Sequence, residues 1–499
     1  MLDSALGLAR RYAALGARSR LTPRERQILR KAHRVDRDGW IYVRTSGGAS
    51  ERGFQHGYLL AHELREAIAH LRFLILRDTG VPFSWFAKNA QALFDEPLRS
   101  NLGGRLGDDS GARIMQELEG IVAGANRHRG PRDVELTLAD LLGWNGYPEL
   151  ICQWFPAVMQ GSLKPAIPIP ASASPIAPDV RTHAHHHFHH SCSGFVATGK
   201  WTADGGVVAA QTTWQRFANG DAYNVIADVN PEAGHRMVMQ SVPGYVNSST
   251  DFGVTGAGLA VAETSINGQG FSPDGLPEFF RSRRASQHAT DIRSWRELFR
   301  TGNNGGYTNS WLLADANTGE IACYELTLKH DVLHPIKRSG YYTGYNIPLD
   351  VRVRNLDCPL PSGYDDSRTS GARRVRFDAL MAQHKGKIDA ASAQAILADH
   401  HDVYLGAERA TSRTICGHFD NDDGATGGLP GAYYPWGSLD GKVTTTELAR
   451  KARLLARWGR ACGTPLLADA FLRQHPEYDW LKNHMKDRPT RPWVEFPPR

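Results

Sequence analysis

The stretch that decides the fold reads Ser191-Cys192-Ser193-Gly194-Phe195-Val196-Ala197-Thr198, then Ala203-Asp204-Gly205-Gly206 and Val207-Val208-Ala209-Ala210-Gln211. Two runs of strand-type residues flank a turn that contains glycine, and this pattern predicts a β-hairpin. The first strand of the hairpin begins at Cys192, so a thiol lies at the very start of a strand. This position, rather than the residue type, makes Cys192 a candidate for chemistry.

The segment before the hairpin has the composition of a linker. Residues 163–191 contain five prolines, several Ala and Ser, and six histidines within His183–His190. Such a composition favours an exposed connection over a packed element. A metal site in the histidine tract is not expected, because its flanks offer no rigid shell to fix the ligand geometry.

Hydrophobic periodicity divides the rest of the chain. Residues 1–162 are predicted to be mostly helical, as in Gly57–Ile75, residues 163–191 to be the linker, and residues 192–499 to mix strands and helices. If the chain is cut before Cys192, these parts become a precursor half, a cleavable linker and a catalytic half. Further strands are expected at Arg236–Ser241, Gly258–Thr264, Ser310–Asp315 and Ile321–Leu328, and further helices at Ser286–Phe299, Arg373–Gln383, Ala390–Leu397 and Thr445–Trp458. The prediction is an α+β fold, a largely antiparallel sheet flanked by helices.

Composition excludes several classes of protein. Of the 499 residues, 41% are hydrophobic and 22% are charged, close to globular norms, and the formal charge of +6 gives no support to nucleic-acid binding. The six cysteines are scattered without a CxxC pair, so no disulfide framework is implied. No stretch approaches the roughly 20 apolar residues of a membrane span, and the N-terminus lacks a secretory h-region. We therefore expect a soluble chain without an export signal.

Cleavage before Cys192 would turn this residue into a complete catalytic unit. A cut Ser191–Cys192 bond would give the thiol its own α-amino group, whose pKa of about 7.7–8.0 suits a general base. Side-chain amides at the ends of strands or in loops, Asn309, Asn247 and Asn145, are candidate donors to an oxyanion. The other five cysteines lie in ordinary runs and are interpreted as structural. A G-x-S-x-G elbow, a phosphate-binding loop and an H-E-x-x-H zinc helix are all absent.

A series of short motifs follows in a fixed order. They are His190-Ser-Cys192-Ser-Gly-Phe195, Gln211-Thr-Thr-Trp214, Ser241-Val-Pro-Gly-Tyr245, Asp251-Phe252, Gly258-Leu-Ala-Val-Ala-Glu263-Thr-Ser-Ile266, Tyr307-Thr-Asn309-Ser-Trp311, Tyr345-Asn-Ile-Pro348 and Gly437-Ser-Leu-Asp440-Gly-Lys442-Val-Thr444. This series resembles the phospholipase B-like family. In the first half, Glu51-Arg-Gly-x-Gln55-x-Gly57 is similar to the opening motif of penicillin acyltransferase-like relatives in the same superfamily.

The resemblance implies an N-terminal-nucleophile hydrolase, with an αββα sandwich and a precursor that cuts itself before the cysteine. Carried over residue by residue, it implies that Cys192 is the nucleophile, Trp214 a packing or positioning residue and Asn309 an oxyanion donor. Arg373 or Arg374 corresponds to a charged residue near the site. Gln211 departs from the family, which has His in H-x-T-W, and Gln cannot carry a proton at neutral pH. Familiar animal members resemble lysosomal or secreted proteins.

The expected reaction is acyl hydrolysis that requires no cofactor. The Cys192 thiol attacks an ester or amide carbonyl, its α-amine moves the proton, and Asn309 with a backbone N–H stabilises the oxyanion. The resemblance implies acyl groups of phospholipids as the substrate, with N-acyl amide hydrolysis or acyl transfer as the alternative. A non-enzymatic binding protein, in which Gln211 marks lost activity, and a serine or metal hydrolase are the other hypotheses.

Basic residues suggest one further partner, a membrane surface. Residues 1–34 hold nine Arg or Lys, and the helix predicted at Thr445–Trp458 would carry Arg450, Lys451, Arg453 and Arg457. Such a helix could meet anionic lipids transiently, although a solvated face is the more ordinary interpretation.

Overall fold

The computed structural model describes residues 21–175, 191–358, 364–423 and 431–498. Most of the predicted linker and of the basic N-terminal arm therefore lies outside the described residues. Within them, helices surround two sheets that are antiparallel apart from one strand pair. This α+β sandwich confirms the predicted fold class. Among the described helices, none is both long and apolar enough to cross a membrane.

Fifteen α-helices occur in the described residues, several of them only one turn long. They are α1 Pro23–Leu29, α2 Ala49–Leu59, α3 Ala61–Thr79, α4 Phe83–Arg99, α5 Ser110–Arg127, α6 Leu138–Asn145, α7 Tyr147–Glu149, α8 Phe155–Met159, α9 Phe217–Gly220, α10 Glu278–His288, α11 Ile292–Arg300, α12 Thr369–His384, α13 Ala390–Leu397, α14 Thr446–Arg450 and α15 Ala468–Gln474. A π-helix, Leu150–Trp154, joins α7 to α8.

The described strands number eighteen. They are β1 His33–Arg37, β2 Trp40–Gly47, β3 Ser191–Thr198, β4 Val208–Arg216, β5 Val225–Pro231, β6 Met237–Ser241, β7 Gly253–Thr255, β8 Leu259–Ser265, β9 Asn309–Asp315, β10 Glu320–Leu326, β11 Asp331–Leu333, β12 Gly340–Gly344, β13 His401–Asp402, β14 Ala407–Glu408, β15 Trp436–Ser438, β16 Asp440–Thr445, β17 Leu454–Trp458 and β18 Val494–Phe496.

Two large sheets contain most of these strands. The first sheet has nine strands in the order β1-β2-β5-β6-β7-β8-β9-β10-β11, and the second has the order β12-β3-β4-β16-β17-β18, with β15 paired to β4. All pairs are antiparallel except β2 with β5. The predicted hairpin is confirmed, because β3 pairs with β4 from Ser191 opposite Trp214 to Ala197 opposite Val208.

The two sheets pack face to face, and β3 crosses β8 and β9. Successive side chains of β3 point to opposite faces of the second sheet. Val196 packs with Leu312 of β9 in the core between the sheets, whereas Phe195 packs on Phe377 of α12 on the outer face. On the far side of the first sheet, Trp311 packs on Trp295 of α11. Helices therefore cover both outer faces, which gives the αββα order of layers.

The first 160 residues also contain a hairpin that the sequence analysis did not predict. Strands β1 and β2 form it, and β2 runs parallel to β5 over seven residue pairs, from Ile41 opposite Val225 to Gly47 opposite Pro231. The run His33–Arg37 is mostly polar and half-exposed, so it carries little hydrophobic periodicity. The N-terminal part thus supplies two strands to the sheet that faces Cys192.

The prediction of one helix at Thr445–Trp458 is wrong. Helix α14 ends at Arg450, and Leu454–Trp458 is strand β17, which pairs with β16 on one side and β18 on the other. Leu454, Ala456 and Trp458 alternate with less buried residues, and two neighbouring strands satisfy the backbone of β17. The basic residues of this stretch therefore do not form a single helical face for a membrane surface.

Candidate active site

Cys192 lies at the second position of β3, between the two sheets. It pairs with Thr213 of β4 and is fully buried. Its Sγ lies 3.5 Å from Oε1 of Glu263, a residue of β8 in the opposite sheet. Burial, with the Glu263 carboxyl as the next cause, raises the pKa of the Cys192 thiol well above its usual range. In the uncut chain this cysteine is therefore a neutral thiol that faces a carboxyl group.

The carboxyl that faces the Cys192 thiol belongs to Glu263, a residue of the Gly258–Ile266 motif with no role predicted from the sequence. Its carboxyl is fully buried, and this burial raises its pKa to about 8. A carboxyl with this pKa holds its proton at neutral pH but is able to exchange it, as general acid–base catalysis requires. The available signal was a lone charged residue at the end of the apolar run Leu259-Ala-Val-Ala-Glu263.

Asn309, the predicted oxyanion donor, lies on the other side of Glu263. It opens β9 and pairs with Ser265 of β8. In the amide orientation that satisfies both of its polar atoms, Asn309 donates to Glu263 Oε2 at 3.1 Å and to the Thr308 carbonyl at 2.9 Å. The structure thus connects Asn309 with Cys192 through the carboxyl of Glu263.

Arg373 of α12 holds the backbone at Cys192. Its Nη1 donates to the Cys192 carbonyl at 2.7 Å, and its Nη2 donates to Asn346 Oδ1 at 2.8 Å. The same Asn346 oxygen accepts the Cys192 backbone N–H at 3.3 Å. Burial lowers the pKa of Arg373 to about 9. Of the two arginines suggested by the sequence, Arg373 lies at Cys192, whereas Arg374 lies over the ring of Tyr364.

Trp214 and Gln211, both on β4, position the groups around the thiol. The guanidinium of Arg373 lies 4.2 Å from the ring centre of Trp214, so the ring acts as a buried platform for this cation. Gln211 Nε2 donates to the carbonyls of Glu263 (2.7 Å) and Thr250 (3.0 Å). Gln211 therefore connects the second sheet to β8 without transferring a proton.

Asn247 lies farther from the thiol than the other predicted residues. It donates to Asp251 Oδ1 at 3.3 Å, and its carbonyl accepts the Ser241 hydroxyl at 2.8 Å. Burial, with the charge of Glu263 as the next cause, raises the pKa of Asp251 well above its usual range. Asn145 donates to the Gly244 carbonyl and so holds the same loop. The two asparagines order the loop after β6, and neither has a described hydrogen bond to Cys192.

A buried lysine completes the polar layer. Lys442 of β16 donates to Thr213 Oγ1 at 2.5 Å and to Gln240 Oε1 at 2.6 Å, and its Nζ lies 3.1 Å from Asp440 Oδ1. Burial lowers the pKa of Lys442. Thr213 is the strand partner of Cys192, so this cation is placed beside the start of β3. The arrangement provides a thiol, an exchangeable carboxyl and fixed positive charge in one water-excluded layer.

Comparison with known proteins identifies the family of this chain. The family model named Phospholipase B matches residues 109–491. Related proteins include "Putative phospholipase B-like 2" of Caenorhabditis elegans, 24% identical over 60% of this chain and 55% of its own length. "Phospholipase B" of Crotalus adamanteus is 25% identical over 45% of this chain and 43% of its own length.

A third relative, "Phospholipase B-like protein G" of Dictyostelium discoideum, is 26% identical over 37% of this chain and 36% of its own length. The chain thus spans between 24% and 55% of the length of the curated relatives it matches. Because the family model covers most of the sequence, and all the residues described around Cys192 lie within its limits, the chain belongs to the phospholipase B family.

Proposed function

We propose that this protein is a self-processing cysteine hydrolase that removes acyl groups from phospholipids. The observation that carries the proposal is the contact between the Cys192 thiol, at the start of β3, and the exchangeable carboxyl of Glu263. Membership of the phospholipase B family, and the name of the relative from Crotalus adamanteus, support acyl lipids as the substrate class.

In the proposed processing step, Cys192 Sγ attacks the carbonyl carbon of Ser191. Glu263 in its ionised form accepts the thiol proton, and the peptide nitrogen of Cys192 takes that proton as the C–N bond breaks. A thioester between Ser191 and Sγ results, and water hydrolyses it to a Ser191 carboxylate and a free thiol. The chain before Cys192 must then move away, because Cys192 is fully buried in the uncut chain.

The same groups support turnover of a substrate. The new α-amine of Cys192 would lie where its backbone nitrogen now donates to Asn346. This amine accepts the thiol proton while Sγ attacks the ester carbonyl, and it returns the proton to the leaving alcohol. Asn309, which donates towards Glu263, would stabilise the developing oxyanion once substrate displaces that contact. Water then releases the fatty acid from Sγ.

One observation favours the alternative of a non-enzymatic family member. The thiol is closed off from solvent and its pKa is raised, so in the uncut chain it is a poor nucleophile. Processing therefore decides between the two hypotheses, since an uncut chain would keep Cys192 inactive.

The first test is intact mass and N-terminal sequencing after long incubation at mildly acidic, neutral and mildly alkaline pH, the last of which ionises Glu263. Wild type is expected to give a new N-terminus at Cys192, and Cys192→Ala none. Cys323→Ala, which alters a buried thiol of β10 that faces Glu325 and Lys337, is the matched control and should be cut normally. An intact wild-type chain after this incubation would exclude the self-processing mechanism.

Glu263→Gln tests the base within the same experiment. It keeps the size of the side chain but cannot accept the thiol proton, so processing should slow by about 10²–10⁴-fold. Cleavage of Glu263→Gln at the wild-type rate would remove Glu263 from the mechanism while leaving Cys192 in place.

Substrate class needs a separate assay of the processed protein. Phosphatidylcholine vesicles and an N-acyl amide of the same chain length are offered in parallel, and fatty acid is measured. Release from the phospholipid that is lost in Cys192→Ala supports the proposal, whereas release from the amide alone would favour the N-acyl amide alternative.

A further inference from the structure

Four metal-binding side chains meet in a second cluster, away from the Cys192–Glu263 contact. His400 follows α13, Cys416 and His418 lie in the loop between β14 and β15, and Cys462 follows β17. One donor atom from each residue lies within 4.8 Å of those of the other three. Cys416 and His418 are fully buried, and His400 and Cys462 are partly exposed, so the cluster lies at the edge of the buried core.

The distances within this cluster fit a tetrahedral metal centre. His418 Nε2 lies 3.1 Å from His400 Nε2, and 3.5 Å from both Cys416 Sγ and Cys462 Sγ. Zinc bonds of about 2.0–2.1 Å to nitrogen and about 2.3 Å to sulfur require a nitrogen–nitrogen separation of about 3.3 Å and a nitrogen–sulfur separation of about 3.5 Å in a tetrahedron. We propose that His400, Cys416, His418 and Cys462 together bind one zinc ion.

The chemistry of the donors selects this class of metal. Two thiolates and two imidazoles are the ligand set of structural zinc sites, and soft sulfur ligands disfavour magnesium and calcium. A single His418 Nε2 can make one good hydrogen bond, yet three donor atoms from three separate segments surround it within 3.5 Å. A metal ion at the centre accounts for this convergence.

The surrounding backbone holds the ligands in place. The Cys416 N–H donates to the Asp399 carbonyl at 3.2 Å, and the His418 N–H donates to the Thr411 carbonyl at 2.9 Å. The Thr464 N–H lies 3.4 Å from Cys462 Sγ, where it can donate to a metal-bound thiolate. Such contacts fix the ligands before the metal arrives, which raises affinity.

Four protein ligands leave no open position, so the proposed zinc is structural. Its role follows from Gly417, which lies between Cys416 and His418. A Cβ on Gly417 would lie 2.7 Å from atoms of the Trp214 ring, so the loop packs directly behind the ring that supports Arg373. Zinc would hold the loop, and hence Trp214, in place without contacting the reacting atoms.

Cobalt substitution is the decisive experiment, because thiolate ligation gives charge-transfer absorption that histidines alone do not. This distinction matters because any cobalt taken up by the tract His183–His190, which contains no cysteine, would give no thiolate bands. The full chain carrying Cys192→Ala is stripped with a strong chelator under reducing conditions and titrated with Co²⁺. One equivalent should produce the thiolate bands, and one equivalent of Zn²⁺ should abolish them.

Matched variants locate the site. Cys416→Ser and Cys462→Ser should lose the thiolate bands, whereas His401→Asn, which changes the neighbour that contacts Glu408 instead, should keep them. If the serine variants fail to fold, the unmutated cluster still tests the proposal: the chelator should lower the thermal midpoint, and zinc but not magnesium should restore it.

Two results would overturn the proposal. The first is a reduced, folded chain that shows no thiolate–cobalt bands and no response of the thermal midpoint to zinc. The second is protein that, when purified without reductant, contains no zinc and shows a Cys416–Cys462 disulfide in peptide mass mapping.

Discussion

At the scale of single residues, Glu263 has the property that most constrains the chemistry. It is a fully buried carboxyl with a pKa of about 8, and its compensating contacts include the thiol of Cys192, the side chain of Ser265 and the amide of Asn309. In the described part of the chain, no arginine or lysine forms an ion pair with Glu263, so its ionised form would lack a direct charge partner. Folding therefore favours the protonated form, which gives the group a proton to exchange near neutral pH.

The raised pKa predicts that stability falls as the pH rises. In the unfolded chain Glu263 loses its proton near pH 4.5, but in the folded chain it keeps it up to about pH 8. Its favourable contribution is complete below the lower value and is lost as the pH rises through the higher one. The measurement is urea unfolding in a Cys192→Ala background. Between about pH 5 and pH 8, the free energy of unfolding should fall by about 3 kcal/mol less in Glu263→Gln than in the parent.

The control for this prediction is an exposed carboxylate of a neighbouring helix. Glu297→Gln removes a side chain on α11 that is 51% exposed, so the pH dependence should be that of the Cys192→Ala parent. If the free energy of unfolding changed with pH equally in Glu263→Gln and Glu297→Gln, Glu263 would not carry the buried proton.

At the scale of elements, two glycine pairs set the distance between α2 and α5. Gly53 and Gly57 on α2 face Gly120 and Gly124 on α5, each pair one helical turn apart. A Cβ at Gly53 would lie 2.0 Å from the Glu117 carbonyl oxygen, and one at Gly124 would lie 2.2 Å from the Phe54 oxygen. The helices therefore touch backbone to backbone. This contact gives a structural reason for the glycines of the Glu51–Gly57 motif.

Gly57→Ala should destabilise the fold, although alanine is the better helix former. A Cβ at Gly57 would lie 2.0 Å from the Ile121 carbonyl oxygen, so α2 and α5 would have to separate. Overpacking of this kind costs about 1–3 kcal/mol, more than the gain of about 0.5–1 kcal/mol in helix propensity. Urea unfolding measures the difference. Ser50→Ala, on the exposed side of α2, is the control and should leave the midpoint unchanged or slightly raised.

At the scale of the whole molecule, the segments before and after Cys192 share their core. Strands β1 and β2 form one end of the first sheet, and β2 joins the rest of that sheet by pairing with β5 from Ile41 opposite Val225 to Gly47 opposite Pro231. Buried ion pairs add to this contact: Asp78 with Arg216 at 2.8 Å, and Glu117 with Arg283 at 3.0 Å. Cutting the chain before Cys192 removes none of these contacts.

The two fragments are therefore expected to stay together after processing. They should co-elute in gel filtration and separate only in denaturant; separation in native buffer would contradict the shared core. Asp78→Asn leaves Arg216 buried without its charge partner and should lower the free energy of unfolding by about 3–5 kcal/mol. Asp95→Asn, at a surface pair with Arg99, should cost about 1 kcal/mol or less.

The sequence by itself determined the features that depend on local pattern. The turn at Ala203–Gly206 and the strand-type runs beside it predict the β3–β4 hairpin and a strand that starts at Cys192, one residue after its observed start at Ser191. Helical spacing located several of the helices: Ala390–Leu397 matches its observed limits, whereas the predicted helix Ser286–Phe299 is divided between α10 and α11. These elements could be predicted because neighbouring residues alone decide turn geometry and the period of burial.

Only the tertiary structure decided which side chains meet. The contact of Cys192 with Glu263, the choice of Arg373 over Arg374, and the convergence of His400 with Cys462 join segments that are remote in sequence. Strand β17 resembled a helix because its pairing with β16 and β18 leaves no local signal. The physical reason is common to these cases: burial, pKa and hydrogen-bond partners depend on what packs across the sheets, whereas the local pattern determines only which face a residue occupies.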